Sequence, residues 1–296
     1  MPFMSTLDTD PLLPWFRESA RDLPWREPGT SAWGILLSEV MSHQTPVARV
    51  APIWLEWMQR WPTPADFAAA GRDEVLRAWG KLGYPRRALR LHECAGVIVE
   101  KHGGRVPAEV EELLALPGIG DYTARAVACF HFGRNVPVVD TNVRRVYERA
   151  VEGNFLQPPA SKSELAKVAA VLPEDGTGPT VSAALMELGA LVCVARAPRC
   201  GQCPLVDACA WQRAGRPEPA AAELAKAKSR VQKFAGTDRQ VRGLIMDVLR
   251  GAEAPVAKSA IDVVWPDEAQ RSRALFSLLA DGLAEQDEAG YFHLPR

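Results

Sequence analysis

The sequence predicts an all-α fold, and three observations carry that reading. Apolar residues recur at helical spacing over stretch after stretch, as in Trp33 to Met41 (WGILLSEVM). Glycine and proline stand as breaks between those stretches, at Thr63-Pro64, Gly71-Arg72 and Gly103-Gly104. Beyond Arg213, alternation is confined to a short hairpin from Glu285 to Leu294, turning at Glu288-Ala289-Gly290.

Composition bounds the classes available. The chain has 296 residues, 47% hydrophobic and 24% charged, enough for more than one domain. The net charge of -1 gives no global signal for nucleic acid, so any such affinity needs a local basic patch. No apolar run is long enough to span a bilayer, and Ile35 to Met41 already contains Ser38 and Glu39. The opening MPFMSTLDTDPLLPWF lacks the basic and apolar regions of a signal peptide, so a cytoplasmic protein is expected. Six cysteines in that compartment point to metal or redox use rather than disulfides.

Taken in order, Pro14 to Arg26 is an apolar docking segment that ends in Leu-Pro-Trp-Arg, with the cation of Arg26 last. In the Trp33–Met41 helix, Glu39 stands among Ile35, Leu36, Val40 and Met41. It either faces water on an amphipathic helix or is a desolvated carboxylate with a raised pKa, suited to general acid work. Trp54 to Gly80 supplies further helices, with Trp57, Trp61, Phe67, Leu76 and Trp79 as core. From Arg77 to Arg90 there is no acidic residue. Tyr84, Arg86 and Arg87 make that run either a solvated basic face or a loop with cations for phosphates and a ring to wedge between bases. His92 to His102 continues a helix into Gly103-Gly104.

Leu116-Pro117-Gly118-Ile119-Gly120 is a tight turn between a helix from Val110 and an Ala-rich one over Thr123–Phe132. The two glycines permit positive φ and close backbone approach, so the stretch is either an ordinary turn or one whose second helix offers unpaired N–H groups to a phosphate. Asp140 follows the apolar run Val136 to Val139. It reads as the N-cap of the helix Asn142 to Ala150, with basic Arg144 and Arg145 just after. Lys162–Val171 and Ser182–Cys193 are further helices. Cys193, Cys200, Cys203 and Cys209 follow, spaced C-x6-C-x2-C-x5-C. Four thiolates hold either zinc or an iron–sulfur cluster, and a single C-x2-C pair is fewer than zinc sites usually have. Arg196 and Arg199 lie between the first two, where a stiffened loop would present them to phosphates. Cys94 and Cys129 read as core. Residues 214–233 form an Ala/Pro/charge-rich linker. Helices over Gln240–Leu249, Lys258–Val264 and Ser272–Leu283, with the hairpin, make either a small winged-helix-like module or a helical tail packed on the main body.

These segments, in this order, resemble the MutY-type adenine DNA glycosylases of the endonuclease III, helix–hairpin–helix superfamily. The likeness covers Trp15 to Trp211 and rests on SEVMSHQTPVARV, LGYPRRALRLH, LPGIG with Asp140, and the cysteine loop. It implies a two-lobed helix–hairpin–helix glycosylase fold with a 4Fe–4S loop and DNA between the lobes. One lobe would span residues 31–135; the other would join 1–30 to 136–213, followed by a linker at 214–236 and the module at 237–296. The implied partner of this monomer, at the nucleoid and not at a membrane, is double-stranded DNA in which adenine is mispaired with 8-oxoguanine or guanine.

The resemblance makes Glu39 the catalytic acid and Asp140 the stabiliser of the cationic sugar, with Tyr122 and Asn142 supporting them. Gln44 and Tyr84 would enter the DNA stack. Thr45, Arg86, Arg87, Leu116, Gly118, Gly120, Arg196 and Arg199 would hold DNA, and Arg26 the substrate. Cys193, Cys200, Cys203 and Cys209 would hold the cluster. Tyr122 stands where strand-cleaving relatives carry a lysine able to form a Schiff base, so glycosylase chemistry without lyase chemistry is expected. The chain departs from the family at Ser42, His43, Pro85 and Ala183, and nothing after Arg213 has the strands of the Nudix-like domain that commonly reads 8-oxoguanine. Two rivals are a thymine or uracil mismatch glycosylase on the same fold and a non-catalytic iron–sulfur DNA-binding protein.

Overall fold

A computed structural model of the chain describes residues 7–221, 223–224 and 234–296. In chain order its helices are α1 (Leu12–Ser19), α2 (Ala32–Ser42), α3 (Val47–Arg60), α4 (Pro64–Ala68), α5 (Arg72–Trp79), α6 (Arg86–His102), α7 (Val110–Leu114) and α8 (Asp121–Phe130). There follow α9 (Thr141–Ala150), α10 (Ser163–Ala169), α11 (Gly178–Leu191), α12 (Ala210–Arg213), α13 (Asp238–Gly251), α14 (Lys258–Asp262) and α15 (Glu268–Ala280). Strands β1 (Glu285–Gln286) and β2 (Phe292–His293) pair antiparallel and form the one sheet among the described residues. The expected all-α class is what the chain adopts.

The chain divides into two compact units, each drawn from separate stretches. One comprises residues 1–35, 108–114 and 120–228; the other comprises 36–107, 115–119 and 229–296. In the first, α9 and α11 pack through Val143, Val146, Val181, Ala184, Leu185 and Leu188. Their approach depends on Gly189, where a Cβ would lie 2.6 Å from that of Asn142. Leu12 of α1 is wholly buried in this core. Glu187 of α11 then fixes the N-terminal segment. It accepts from Arg21 Nε and Nη2 at 2.7 and 2.8 Å and from Arg26 Nη2 at 2.9 Å.

The second unit is built on aromatic packing. Trp57 of α3 meets Phe67 at 5.0 Å and Trp79 at 5.7 Å between ring centroids. Thr63 and Asp66 form a reciprocal capping box on α4, and Gly103, left-handed at φ 58°, ends α6. Residues 237–296 lie in this unit. There α13, α14, α15 and the β1–β2 hairpin follow one another, and Val256 adds a single bridge to Phe292. Arg77 of α5 donates to the Arg250 carbonyl of α13, and Arg242 pairs with Asp281 at 2.6 Å. Of the segment read as a linker, residues 222 and 225–233 lie outside the described residues; Ala221, Glu223 and Leu224 are helical. Residues 1–6 of the supposed leaderless N-terminus also lie outside them.

Candidate active site and nucleic-acid interface

In the first unit the chemistry gathers at the head of α9. Asp140 is its N-cap. Its Oδ1 accepts from the backbone N–H groups of Asn142 (2.8 Å) and Val143 (2.7 Å), and its Oδ2 accepts from Asn142 Nδ2 (2.6 Å). Burial raises the Asp140 pKa above its ordinary value, against the pull of those hydrogen bonds and the Arg145 cation. Asn142 in turn accepts from Arg145 Nη2 at 2.7 Å. Arg145, nearly buried, also donates to the carbonyls of Gly189 (2.7 Å) and Cys193 (2.6 Å). One turn on, Arg149 Nη1 donates to Cys193 Sγ at 3.4 Å and to the Val194 carbonyl at 2.8 Å. The basic residues after Asp140 are thus internal braces. A sequence shows their charge but not their direction, and Arg149 and Glu187 gave no signal at all. Tyr122, half-buried in a small cluster with Ala126, Cys129 and Val138, donates to Met186 Sδ at 3.9 Å.

Cys193, Cys200, Cys203 and Cys209 line one cavity with Arg149, Val192 and Trp211. Among the described residues no group of three or more His, Cys, Asp or Glu is gathered as a single metal ion requires. Four soft thiol donors around one apolar-walled cavity suit a multi-iron cluster better than a mononuclear zinc ion. Arg196 and Arg199 are exposed beside it.

In the second unit, Glu39 is the one half-buried residue between Trp33 and Met41; the others there are buried. It lies between the two alternatives its sequence left open. Past α2 the chain exposes His43 and Gln44 but buries Thr45, whose hydroxyl donates to the Leu82 carbonyl at 3.0 Å. Tyr84 is 47% exposed and accepts from Arg239 Nη1 at 2.9 Å. Arg86 is exposed and pairs with Asp281 at 3.2 Å. Arg87 differs from the expected phosphate contact, since its donors turn inward to the carbonyls of Val40 (2.7 Å), His43 (2.8 Å) and Gly83 (3.1 Å). Arg26, expected at the substrate, is engaged by Glu187.

The glycine turn is anchored by its apolar residues: Leu116 and Ile119 are buried, while Gly118 and Gly120 are exposed. The two glycines differ. Gly118 has φ 75°, and a Cβ there would lie 2.8 Å from Arg90 Cβ. Gly120 caps α8 in an extended conformation, φ -96°, with nothing within 4 Å of its would-be Cβ. Only the first glycine needs its positive φ.

Residues 37–168 match the family model of the HhH-GPD superfamily base excision DNA repair protein. An adenine DNA glycosylase of Mycolicibacterium smegmatis is 61% identical over 284 residues, 96% of this chain and 94% of that protein. The chain belongs to the adenine DNA glycosylase family of the HhH-GPD superfamily. Among solved structures, a thermostable thymine-DNA glycosylase superposes with a TM-score of 0.62 at 27% identity, covering 69% of this chain and 95% of that one. Endonuclease III in a non-covalent complex with DNA gives a TM-score of 0.59 at 25% identity, covering 71% and 95%. For this member of the family, helices α2 to α10 carry the superfamily match, and the likeness to the relative from Mycolicibacterium smegmatis, at 96% of this chain, extends into residues 237–296.

Proposed function

We propose that this family member excises adenine mispaired with 8-oxoguanine or guanine in double-stranded DNA, by hydrolysis and without cutting the strand. The observation that carries this is Asp140. It is a carboxylate fixed by three hydrogen bonds at a helix head, placed in a family whose members are named for adenine release. Glu39 gives its proton to the flipped adenine, and the N-glycosidic electron pair leaves with the base. Asp140 stabilises the cationic sugar through its negative charge, Asn142 holds that carboxylate, and water adds to the sugar carbon as its proton passes to the Glu39 carboxylate, restoring the acid. Tyr122 supplies no amine for a Schiff base, so the strand remains intact. Gln44 and Tyr84 enter the stack to extrude the base, while Arg86, the exposed Gly118 and Gly120 of the turn, Arg196 and Arg199 hold the backbone. Cys193, Cys200, Cys203 and Cys209 would hold a 4Fe–4S cluster, which supplies a covalent staple for the loop bearing Arg196 and Arg199. Purified protein is expected to bind about four iron atoms per chain; stoichiometric zinc without visible absorption would exclude the cluster.

The deciding assay measures base and strand release from A:8-oxoguanine, A:G, T:G and U:G duplexes. Adenine alone should be released, with an alkali-labile but uncut strand. Loss of a general acid costs about 10²–10⁴-fold, so Glu39→Gln should nearly abolish single-turnover release while duplex affinity stays within several-fold. Release of thymine or uracil, or a Glu39→Gln rate near wild type, would refute the reading.

A further inference from the structure

Among the described residues, the non-glycine positions with positive φ include Gln44 at 54° and Tyr84 at 47°. Side chains with a Cβ enter this region at a cost, and such strain persists only where the surroundings enforce it. One side chain reaches both places. Arg87, in the first turn of α6, donates through Nη1 to the carbonyls of Val40 (2.7 Å), Met41 (3.3 Å) and His43 (2.8 Å). Through Nη2 it donates to Thr45 Oγ1 (3.3 Å) and to the carbonyls of Leu82 (3.3 Å) and Gly83 (3.1 Å). His43 immediately precedes Gln44, and Gly83 immediately precedes Tyr84. The carbonyl of one residue and the amide of the next share a rigid peptide plane, so holding the first restricts φ of the second. The same guanidinium lies over the rings of Trp79 at 5.1 Å and Tyr84 at 5.7 Å. Thr45 ties the two loops a second time, from His43 to Leu82.

We propose that Arg87 is a positioning residue, a brace that holds Gln44 and Tyr84 in their strained conformations together and fastens both to the C-terminal end of the Glu39 helix. The inference rests on the reading above in assigning DNA insertion to Gln44 and Tyr84; the brace itself is a property of the free protein. The planar fork of arginine suits the task. It spans acceptors on two loops and places positive charge on the open carbonyls at the end of α2. Lysine is a point charge that would serve a phosphate but cannot bridge the two loops.

The test therefore turns on Arg87→Lys, with Arg87→Met beside it. In DNA-free protein, amide hydrogen exchange should accelerate at residues 43–45 and at Gly83 and Tyr84 together in both variants. On a mismatched duplex carrying 2-aminopurine next to the adenine, Arg87→Lys should lose most of the fluorescence rise that reports unstacking. It should release adenine roughly ten- to a hundredfold more slowly at saturating enzyme, a span appropriate to lost orientation, while the salt dependence of binding stays unchanged. Combined with Tyr84→Ala, it should be little slower than the slower single variant, because both act through the same insertion. The proposal is overturned if exchange in the two segments is unaltered, or if Arg87→Lys unstacks and releases like wild type while Arg87→Met merely lowers the salt slope by about one phosphate contact. Should Arg87→Met not fold, Arg87→Lys carries the comparison alone. Coupled loosening of the two segments in a protein that releases no base would overturn the proposed function and leave the brace standing.

Discussion

The carboxylate of Asp140 has two duties: Oδ1 caps α9, while Oδ2 is left to a single side-chain donor, Asn142. Burial lifts its pKa above its ordinary value, so the folded state holds that proton more tightly than the unfolded chain does. Ionisation of Asp140 consequently costs stability above that raised pKa, and the cost disappears as the pH falls through it. Catalysis has the opposite requirement, since only the ionised form stabilises a cationic sugar. Single-turnover adenine release should therefore fall on the acid side with a midpoint above about 3.9, the unperturbed value. Asp140→Asn should abolish release yet unfold at a temperature no lower than wild type, because asparagine caps helices as well as aspartate does. An acid midpoint below that value would contradict the burial argument. The position of Asp140 was legible from the sequence because a cap and a catalytic carboxylate both belong at the start of a helix. The direction of Arg87 was not, because a basic run looks the same whether its side chains face phosphates or carbonyls.

At the scale of the element, the turn between α7 and α8 separates two uses of glycine. Gly118→Ala forces a left-handed alanine against Arg90 Cβ, and overpacking with backbone strain should cost about 1–3 kcal/mol. Gly120→Ala meets open space at an ordinary φ. It should leave thermal unfolding unchanged and weaken duplex binding, because the added methyl obstructs an approaching phosphate at the N-terminus of α8. Equal loss of stability in both variants would sink the distinction. Elsewhere the periodic signal located helices to within a few residues, as for Lys258–Asp262 against the expected Lys258–Val264. It began the helices of this region at Trp54, whereas α3 starts at Val47 and carries Pro52 within it. Pro52 has no N–H to give the Ala48 carbonyl and crowds it, an interior helix cost, and burial of Val50, Trp54 and Trp57 on one face offsets it.

For the molecule as a whole, the least legible feature was what holds the N-terminal segment, because its anchor lies far along the chain. Glu187 is buried; burial alone would raise its carboxyl, but hydrogen bonds from Arg21 and Arg26 outweigh that and bring it down to about 2. A depressed folded-state pKa contributes stability that is present above the unfolded value and lost as the pH falls toward the folded one. Against the ordinary 4.5, that is at most about 3 kcal/mol once screening at the partly exposed arginines is allowed for. Stability measured by denaturant should therefore decline between about pH 4.5 and 2, and Glu187→Gln should flatten that decline while lowering stability at neutral pH. An unchanged pH profile in Glu187→Gln would refute the assignment. The same anchor has a consequence for synthesis. Arg26 and Glu187 are 161 residues apart, and at about 5–20 residues per second a ribosome needs roughly 10–30 s to make that interval. Throughout it the segment from Leu12 to Arg26 is without its partner helix, and Leu12 and Trp15 lack the α11 part of the core they pack against. Docking of the N-terminus therefore cannot precede α11, and the core beneath the clasp is complete only when Leu205, Cys209 and Trp211 have followed.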